Sequence, residues 1–143
     1  MGLIYRGEYA NPNMVELELD QMDAVLTTLA TASTASTITT SAVAVGRTLT
    51  AADSGTLFTN QNAAGSVAVI LPSAVAGYNI RVYVATAQTL TVQAASGDTI
   101  RIADNETAEG GSISSNVVGS LVWLIAVDQQ EWVSWQTSGS WTF

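Results

Sequence analysis

The chain has 143 residues and a net charge of −8, and it contains no histidine, no cysteine and no lysine. These absences exclude disulfides, metal sites built on imidazole or thiolate, Schiff-base lysines, and serine or cysteine nucleophiles activated by histidine. The acidity disfavours binding to nucleic acid or to anionic membranes. The sequence therefore predicts a protein that is not an enzyme, holds no cofactor or metal, and binds neither nucleic acid nor membrane.

The first 31 residues are acidic, with five carboxylates against one arginine. Asn11-Pro12-Asn13 indicates a turn, and residues 15–20 then alternate apolar and acidic side chains, which is typical of a strand with one wet face. The same region also fits a short coiled-coil seam, formed by Val15, Leu19, Met22, Leu26 and Leu29. We expect an extended segment into Leu19 and a helix from about Asp20 to Ala30. A helix of three turns is marginal alone, so its apolar stripe should pack on the chain's own β domain, in a symmetric bundle or on a larger particle.

Residues 31–41 are small, uncharged and rich in Thr, Ser and Ala. Such a segment cannot form a core and is typical of a linker or arm that is ordered only in context. Its threonine content would also suit a strand paired against a neighbour. The predicted organisation is an N-terminal arm with a short helix over residues 1–41, followed by a β-sandwich domain over residues 42–143.

The remainder of the chain is a series of short alternating segments separated by turn residues. About eight such strands, with no helical pattern among them, predict an all-β fold, either a β-sandwich or a jelly roll. The continuous apolar run Leu121–Val127 predicts a central strand buried on both faces. The segment Thr137-Ser138-Gly139-Ser140, flanked by aromatic stretches, predicts a hairpin.

Few side chains in this domain are candidates for a site. All four tryptophans follow residue 122, and we expect at least two to anchor the core, although an exposed one could stack on sugar. Carboxylates crowd around residues 98–109, where a solvated acidic loop is favoured over a calcium site. Arg81 and Arg101 lie in strand patterns and are expected to pair with nearby carboxylates or with a partner.

Several segments occur in a familiar order. Thr48–Thr59 contains Ala52-Asp53-Ser54-Gly55 and is followed by Val69-Ile70-Leu71-Pro72-Ser73-Ala74, by Thr89-Leu90-Thr91-Val92 and by Gly97-Asp98-Thr99-Ile100. Gly119-Ser120 then precedes the apolar run, and a tryptophan follows Val127-Asp128. From about Val45 to Trp141, this order resembles a β domain that recurs in virion proteins of tailed bacteriophages, both capsid decoration (cement) proteins and fibre proteins. The resemblance implies a structural virion component, commonly a homotrimer.

The short arm and single domain favour a decoration protein over a fibre, which usually carries a long repetitive shaft. The expected function is to bind the major capsid protein at the capsid surface and to stabilise the shell by edge pairing and multivalent contact. The expected partner-binding residues are Tyr5, Tyr9, Val15, Leu17, Leu19, Met22, Leu26 and Leu29. Two alternatives stay open: a fibre or adhesin module that binds host-surface glycans, and a glycosidase that uses only carboxylates.

Overall fold

Buried and more exposed residues alternate along most strands of the computed structural model, which describes residues 37–143. This alternation follows from the two-residue period of a strand, since each strand turns one side toward the core. The strands are β1 (Thr40–Ala42), β2 (Arg47–Thr48), β3 (Leu57–Thr59), β4 (Val67–Ile70), β5 (Asn79–Tyr83), β6 (Leu90–Gln93), β7 (Thr99–Ile102), β8 (Asn105–Glu106), β9 (Ser112–Ser115), β10 (Leu121–Ala126) and β11 (Glu131–Ser138). A single turn of 3-10 helix, Ala51–Asp53, lies between β2 and β3.

The strands form two sheets, and the prediction of an all-β fold is confirmed. One sheet has seven strands in the order β1-β3-β5-β10-β11-β7-β8, and the other has four in the order β2-β4-β6-β9. β1 includes Thr40 and Ser41, so the compact unit Ile38–Phe143 takes in part of the segment that was assigned to the arm. The threonine-rich segment therefore contributes an edge strand to the larger sheet.

The first six strands alternate between the two sheets. β1, β3 and β5 pair in parallel in the larger sheet, while β2, β4 and β6 pair in parallel in the smaller one. Parallel neighbours cannot be joined by a tight turn, and here each connection passes through a strand of the opposite sheet. Because a jelly roll is built from antiparallel strands, this parallel stack favours the sandwich of the two predicted alternatives.

The second half of the unit is mostly antiparallel. β10 lies at the centre of the larger sheet, antiparallel to both β5 and β11. The hairpin predicted around Gly139 is wrong, because the chain leaves β11 and crosses to the smaller sheet, where Thr142 bridges Ser114 of β9. The crossing is tight: Gly139 has a φ of 76°, and a Cβ at this position would overlap Ser120. Ser140 N donates to Ser120 Oγ at 3.3 Å, which holds the crossing in place.

The core lies between the sheets and is built from their inward-facing side chains. Trp132 and Phe58 are its largest members, and both are fully buried. Around them lie the other large buried side chains, which are Leu71, Ile80, Leu90, Ile100, Ile113 and Leu124. Burial of one such side chain stabilises the fold by roughly 1.5–3 kcal/mol, so this layer is the main source of stability that does not depend on charge.

A buried asparagine joins two of the loops at one end of the sandwich. Asn60, at the end of β3, is fully buried, and its Nδ2 donates to the carbonyls of Thr86 and Gln88 at 2.9 and 3.0 Å. Its Oδ1 accepts from the amides of Ala85 and Thr86 at 2.8 and 3.0 Å. One side chain thus satisfies four main-chain groups of the loop that connects β5 to β6, and the loop is held against the parallel stack.

The predicted helix over Asp20–Ala30 and the extended segment before it lie outside the described residues. Among residues 37–143, no helix is long and apolar enough to cross a membrane.

We expect Asn60→Ala to lower the free energy of unfolding by about 2–4 kcal/mol, because buried main-chain groups left without partners cost roughly 1–3 kcal/mol each. Urea unfolding followed by circular dichroism measures this loss. Gln61→Ala is the control, since Gln61 is the next residue along the chain and is exposed. Equal stability of the two variants would contradict the assigned role of Asn60.

Candidate functional site

The outer side of the seven-stranded sheet is apolar at its centre. Val82, Val122 and Leu124 point into the core, so the residues that alternate with them point outward. We call the large apolar and aromatic members of the outward set, together with Arg81, the aromatic face: Leu57, Arg81, Tyr83, Leu121, Trp123, Ile125, Val133 and Trp135. Polar residues take other outward positions, among them Asn79 and Gln136, which lie opposite Ile125 and Trp123. The prediction that the run Leu121–Val127 is buried on both faces is wrong, because only one side of β10 meets the smaller sheet.

The outer side of the four-stranded sheet provides a contrast. There the outward residues are mostly small or polar, namely Ala68, Ile70, Thr91, Gln93, Ser112 and Ser114. An outer sheet face exposed to water is expected to have this polar character. The two outer faces therefore differ in kind, and only the aromatic face resembles a surface made for contact.

Arg81 and Trp123 form the centre of the aromatic face. They lie directly opposite each other on β5 and β10, and the Arg81 guanidinium stands 4.1 Å from the centroid of the Trp123 ring. Arg81 also donates from Nη1 to the carbonyl of Gly55 at 3.2 Å. A cation over an indole is worth about 0.5–2 kcal/mol, and the two contacts hold the guanidinium flat against the face.

A bulge in β11 exposes one tryptophan beside this pair. The register between β10 and β11 shifts between Trp123 and Leu124, so Trp135 has no residue opposite it. Its side chain is 73% exposed, the largest exposed aromatic surface of the described residues. Bulges commonly redirect a side chain in this way, and here the redirected side chain extends the aromatic face into solvent.

The other tryptophans have structural positions. Trp132 is fully buried, and Trp141 packs against the core. Trp141 Nε1 donates to the carbonyls of Leu121 and Ser138 at 3.3 and 3.2 Å. The expectation that at least two tryptophans anchor the core is confirmed.

An ion cluster borders the aromatic face on the side of β7 and β8. Arg101 Nη2 lies 2.6 Å from Glu106 Oε2, and Arg101 Nε donates to Glu131 Oε1. The hydrogen bond that Arg101 donates to Glu131, together with the charges of both carboxylates, raises the pKa of Arg101. The prediction that Arg101 pairs with nearby carboxylates is confirmed. Arg81 pairs with none among residues 37–143 and stacks on Trp123 instead.

The acidic segment around residues 98–109 is not arranged as a metal site. Asp98 is buried, and its Oδ2 accepts a hydrogen bond from the Ala74 amide at 2.7 Å. Glu106 is occupied by Arg101. Within the part of the chain that the structure describes, no three acidic side chains come close enough to hold a metal ion. The calcium alternative therefore has no geometric support in these residues.

The predicted partner-binding residues, from Tyr5 to Leu29, lie outside the described residues. Sequence reasoning did not find the aromatic face, although a signal for it was present. β10 is apolar at every position, whereas a one-sided strand needs apolar residues only at alternate positions. The surplus residues Leu121, Trp123 and Ile125 form the centre of the face.

Searches against protein-family models and against curated proteins found no match to this chain. The candidate site therefore stands on its geometry and chemistry.

We expect the two neighbouring tryptophans of β11 to differ sharply in their effect on stability. Trp132→Ala should lower the free energy of unfolding by about 3–5 kcal/mol, as large-to-small changes in a core do, whereas Trp135→Ala should change it by less than about 1 kcal/mol. Urea titrations of both variants measure the difference. A large loss for Trp135→Ala would show that this side chain belongs to the packing and not to a surface.

Proposed function

We propose that this protein is a structural virion protein of a tailed bacteriophage, a capsid decoration or cement protein that binds the major capsid protein and stabilises the shell. We propose further that it acts as a homotrimer on the capsid surface. The observation that carries the proposal is the aromatic face, taken together with the ordered motifs that resemble phage virion β domains.

The composition of the aromatic face suits recognition of a protein. Tryptophan, tyrosine and arginine are the residues that most often dominate binding energy at interfaces, and all three occur here on adjacent strands. Interfaces have an apolar centre and a polar rim. Here Trp123 lies at the centre of the face, and the Arg101 ion cluster lies at its border. Because Arg81 and Trp123 are already stacked, little side-chain entropy would be lost when a partner binds.

The distribution of charge supports a directed contact. The members of the aromatic face include Arg81 and no carboxylate, although the chain carries twelve acidic residues. Two acidic side chains, Glu106 and Glu131, lie at the border of this face, where both pair with Arg101, and others, such as Asp104 and Asp128, lie on loops. A chain with such a surface is repelled by other acidic surfaces except where the aromatic face is presented.

Multivalency explains how one small domain could bind tightly to a shell. A decoration protein contacts an array of identical subunits, so a trimer would engage several sites at once. Linking of modest contacts can raise the overall affinity by about 10²–10⁴ without any new contact. The chain has no cysteine, and its β unit is built around an apolar core, which suits such a role.

Removal of residues 1–31 should abolish binding to shells and leave the β unit folded, since the core described above lies within Ile38–Phe143. The assay is co-sedimentation with capsids that lack the protein, and circular dichroism reports the fold. If the truncated protein decorates shells normally, the expected role of the arm residues is wrong.

A second candidate function has one specific observation in its favour. The exposed indole of Trp135 beside Gln136 could stack on a sugar ring, as in a fibre or adhesin module that binds host-surface glycans.

One substitution separates the two functions. If the protein binds shells, Trp135→Ala should weaken shell binding about tenfold or more, as loss of an interface hot spot does, and should leave a glycan array blank for both proteins. If it is an adhesin, the wild-type protein should bind glycans and the variant should not. Val118→Ser is the matched control, because Val118 is also exposed and apolar but lies on the loop between β9 and β10.

A further inference from the structure

Both sheets end on the same side of the unit. β1 is an edge strand of the larger sheet and β2 is an edge strand of the smaller one, and they are the first two strands of the parallel stack. Within residues 37–143, no strand pairs with the outer edge of either. We call the two strands and the loop between them, residues 40–48, the open end.

The hydrogen bonds between residues 39–43 and β3 show which main-chain groups of β1 point away from the sheet. Leu57 N donates to Thr39 O at 2.9 Å, and Val43 N donates to Thr59 O at 2.7 Å. Odd-numbered residues of this segment therefore bond to β3. Since successive residues of a strand alternate in direction, Thr40 and Ala42 turn their N–H and C=O groups outward.

β2 has the same arrangement on the second sheet. Leu49 N donates to Ile70 O at 2.8 Å, so its neighbour Thr48 directs its main-chain groups away from β4. The open end thus directs outward, in two layers at once, main-chain donors and acceptors that no residue of 37–143 pairs with.

The strands of the open end are short, but they lack the side chains that normally protect sheet edges. Edge strands are usually blunted by lysine, by inward-pointing charges, by proline or by a bulge. Residues 37–52 contain no proline, no lysine and no carboxylate, and their one charge, Arg47, is bound to Asp53 at 2.6 Å. Ile38 and Val45 are 51% and 75% exposed beside this edge.

The opposite side of the unit is protected. The edge strand β8 carries a charged side chain, Glu106, which belongs to the ion cluster. The outer edge of β9 is partly covered, because Thr142 bridges Ser114. The edges of β8 and β9 are thus protected by charge or by a bridge, whereas those of β1 and β2 carry no such protection within residues 37–143.

We infer that the open end pairs with the open end of a second copy of this chain, so that both sheets continue across the contact. A single extended peptide would cover only one of the two edges. In a second copy, the edges of β1 and β2 have the same spacing as in the first. The second copy can therefore pair with both edges at once. This is an isologous contact around a two-fold axis.

The larger sheet gives the register of the contact. In an antiparallel pairing centred on Ser41, Thr40 of each copy lies opposite Ala42 of the other. These are the residues with outward main-chain groups, so each such pair can exchange both of its hydrogen bonds. No carboxylate of residues 37–52 enters the contact, which lets two copies that each carry a charge of −8 approach at this side.

Sedimentation velocity on the untagged full-length protein, over a wide range of concentration, tests this inference. We expect the wild-type protein to form particles with an even number of chains, two or, where the proposed three-fold contact also forms, six. Ala42→Pro removes an outward N–H, which edge strands tolerate, and Thr40→Lys adds a charge beside the axis. Either variant should halve the number of chains per particle.

The control is Ala68→Lys, which adds the same charge to the exposed face of an interior strand and should keep the even number. Urea unfolding of each variant checks that the β unit is folded. A wild-type protein with an odd number of chains at every concentration would overturn the inference, as would folded variants that keep the wild-type mass. Shell binding is measured separately, so an even particle that does not bind shells would contradict the proposed function and leave the edge contact standing.

Discussion

Parallel neighbours in a sheet cannot be joined by a tight turn, and much of this structure follows from that constraint. The chain connects β1 to β3 and β3 to β5 through strands of the opposite sheet, so two sheets grow together and enclose the core between them. Long connections at both ends are a necessary consequence. Asn60 secures one of them by satisfying four main-chain groups of the loop between β5 and β6. Among residues 37–143, the first two strands of this stack are edge strands of their sheets.

The two outer faces of the sandwich differ in the side chains that they carry. The outer side of the four-stranded sheet carries mostly small or polar residues, which are stable in contact with water. The seven-stranded sheet carries Trp123, Tyr83 and Trp135 on its outer side, with Arg81 stacked at the centre. Trp135 is the exposed member of this face, and the other apolar members are partly buried. In a chain without histidine, cysteine or lysine, recognition through shape and apolar contact is also the chemistry that the side chains allow.

Much of the fold could be predicted from local sequence patterns. Alternation in β5 and β6, and Gly or Asp between strands, were enough to expect short strands and two layers. The hairpin around Gly139 was wrong because the same residues serve a tight crossing: Gly139 is needed where the chain passes Ser120, and a glycine with positive φ looks alike in sequence at a turn and at a close approach. The burial of Asp98 and the four hydrogen bonds of Asn60 could not be predicted from local patterns either, since both depend on loops that are far away in sequence.

The sequence by itself determined the class of the fold and the chemistry that is absent, because strand periodicity is local and composition needs no structure. It also determined that β10 has more apolar residues than one buried side requires. Only the tertiary structure decided that the surplus forms an aromatic face, that β1 to β6 stack in parallel, and that β1 and β2 end on the same side. Pairing between strands joins residues far apart in the chain, and a period of two places side chains on alternate sides without stating which side meets the core.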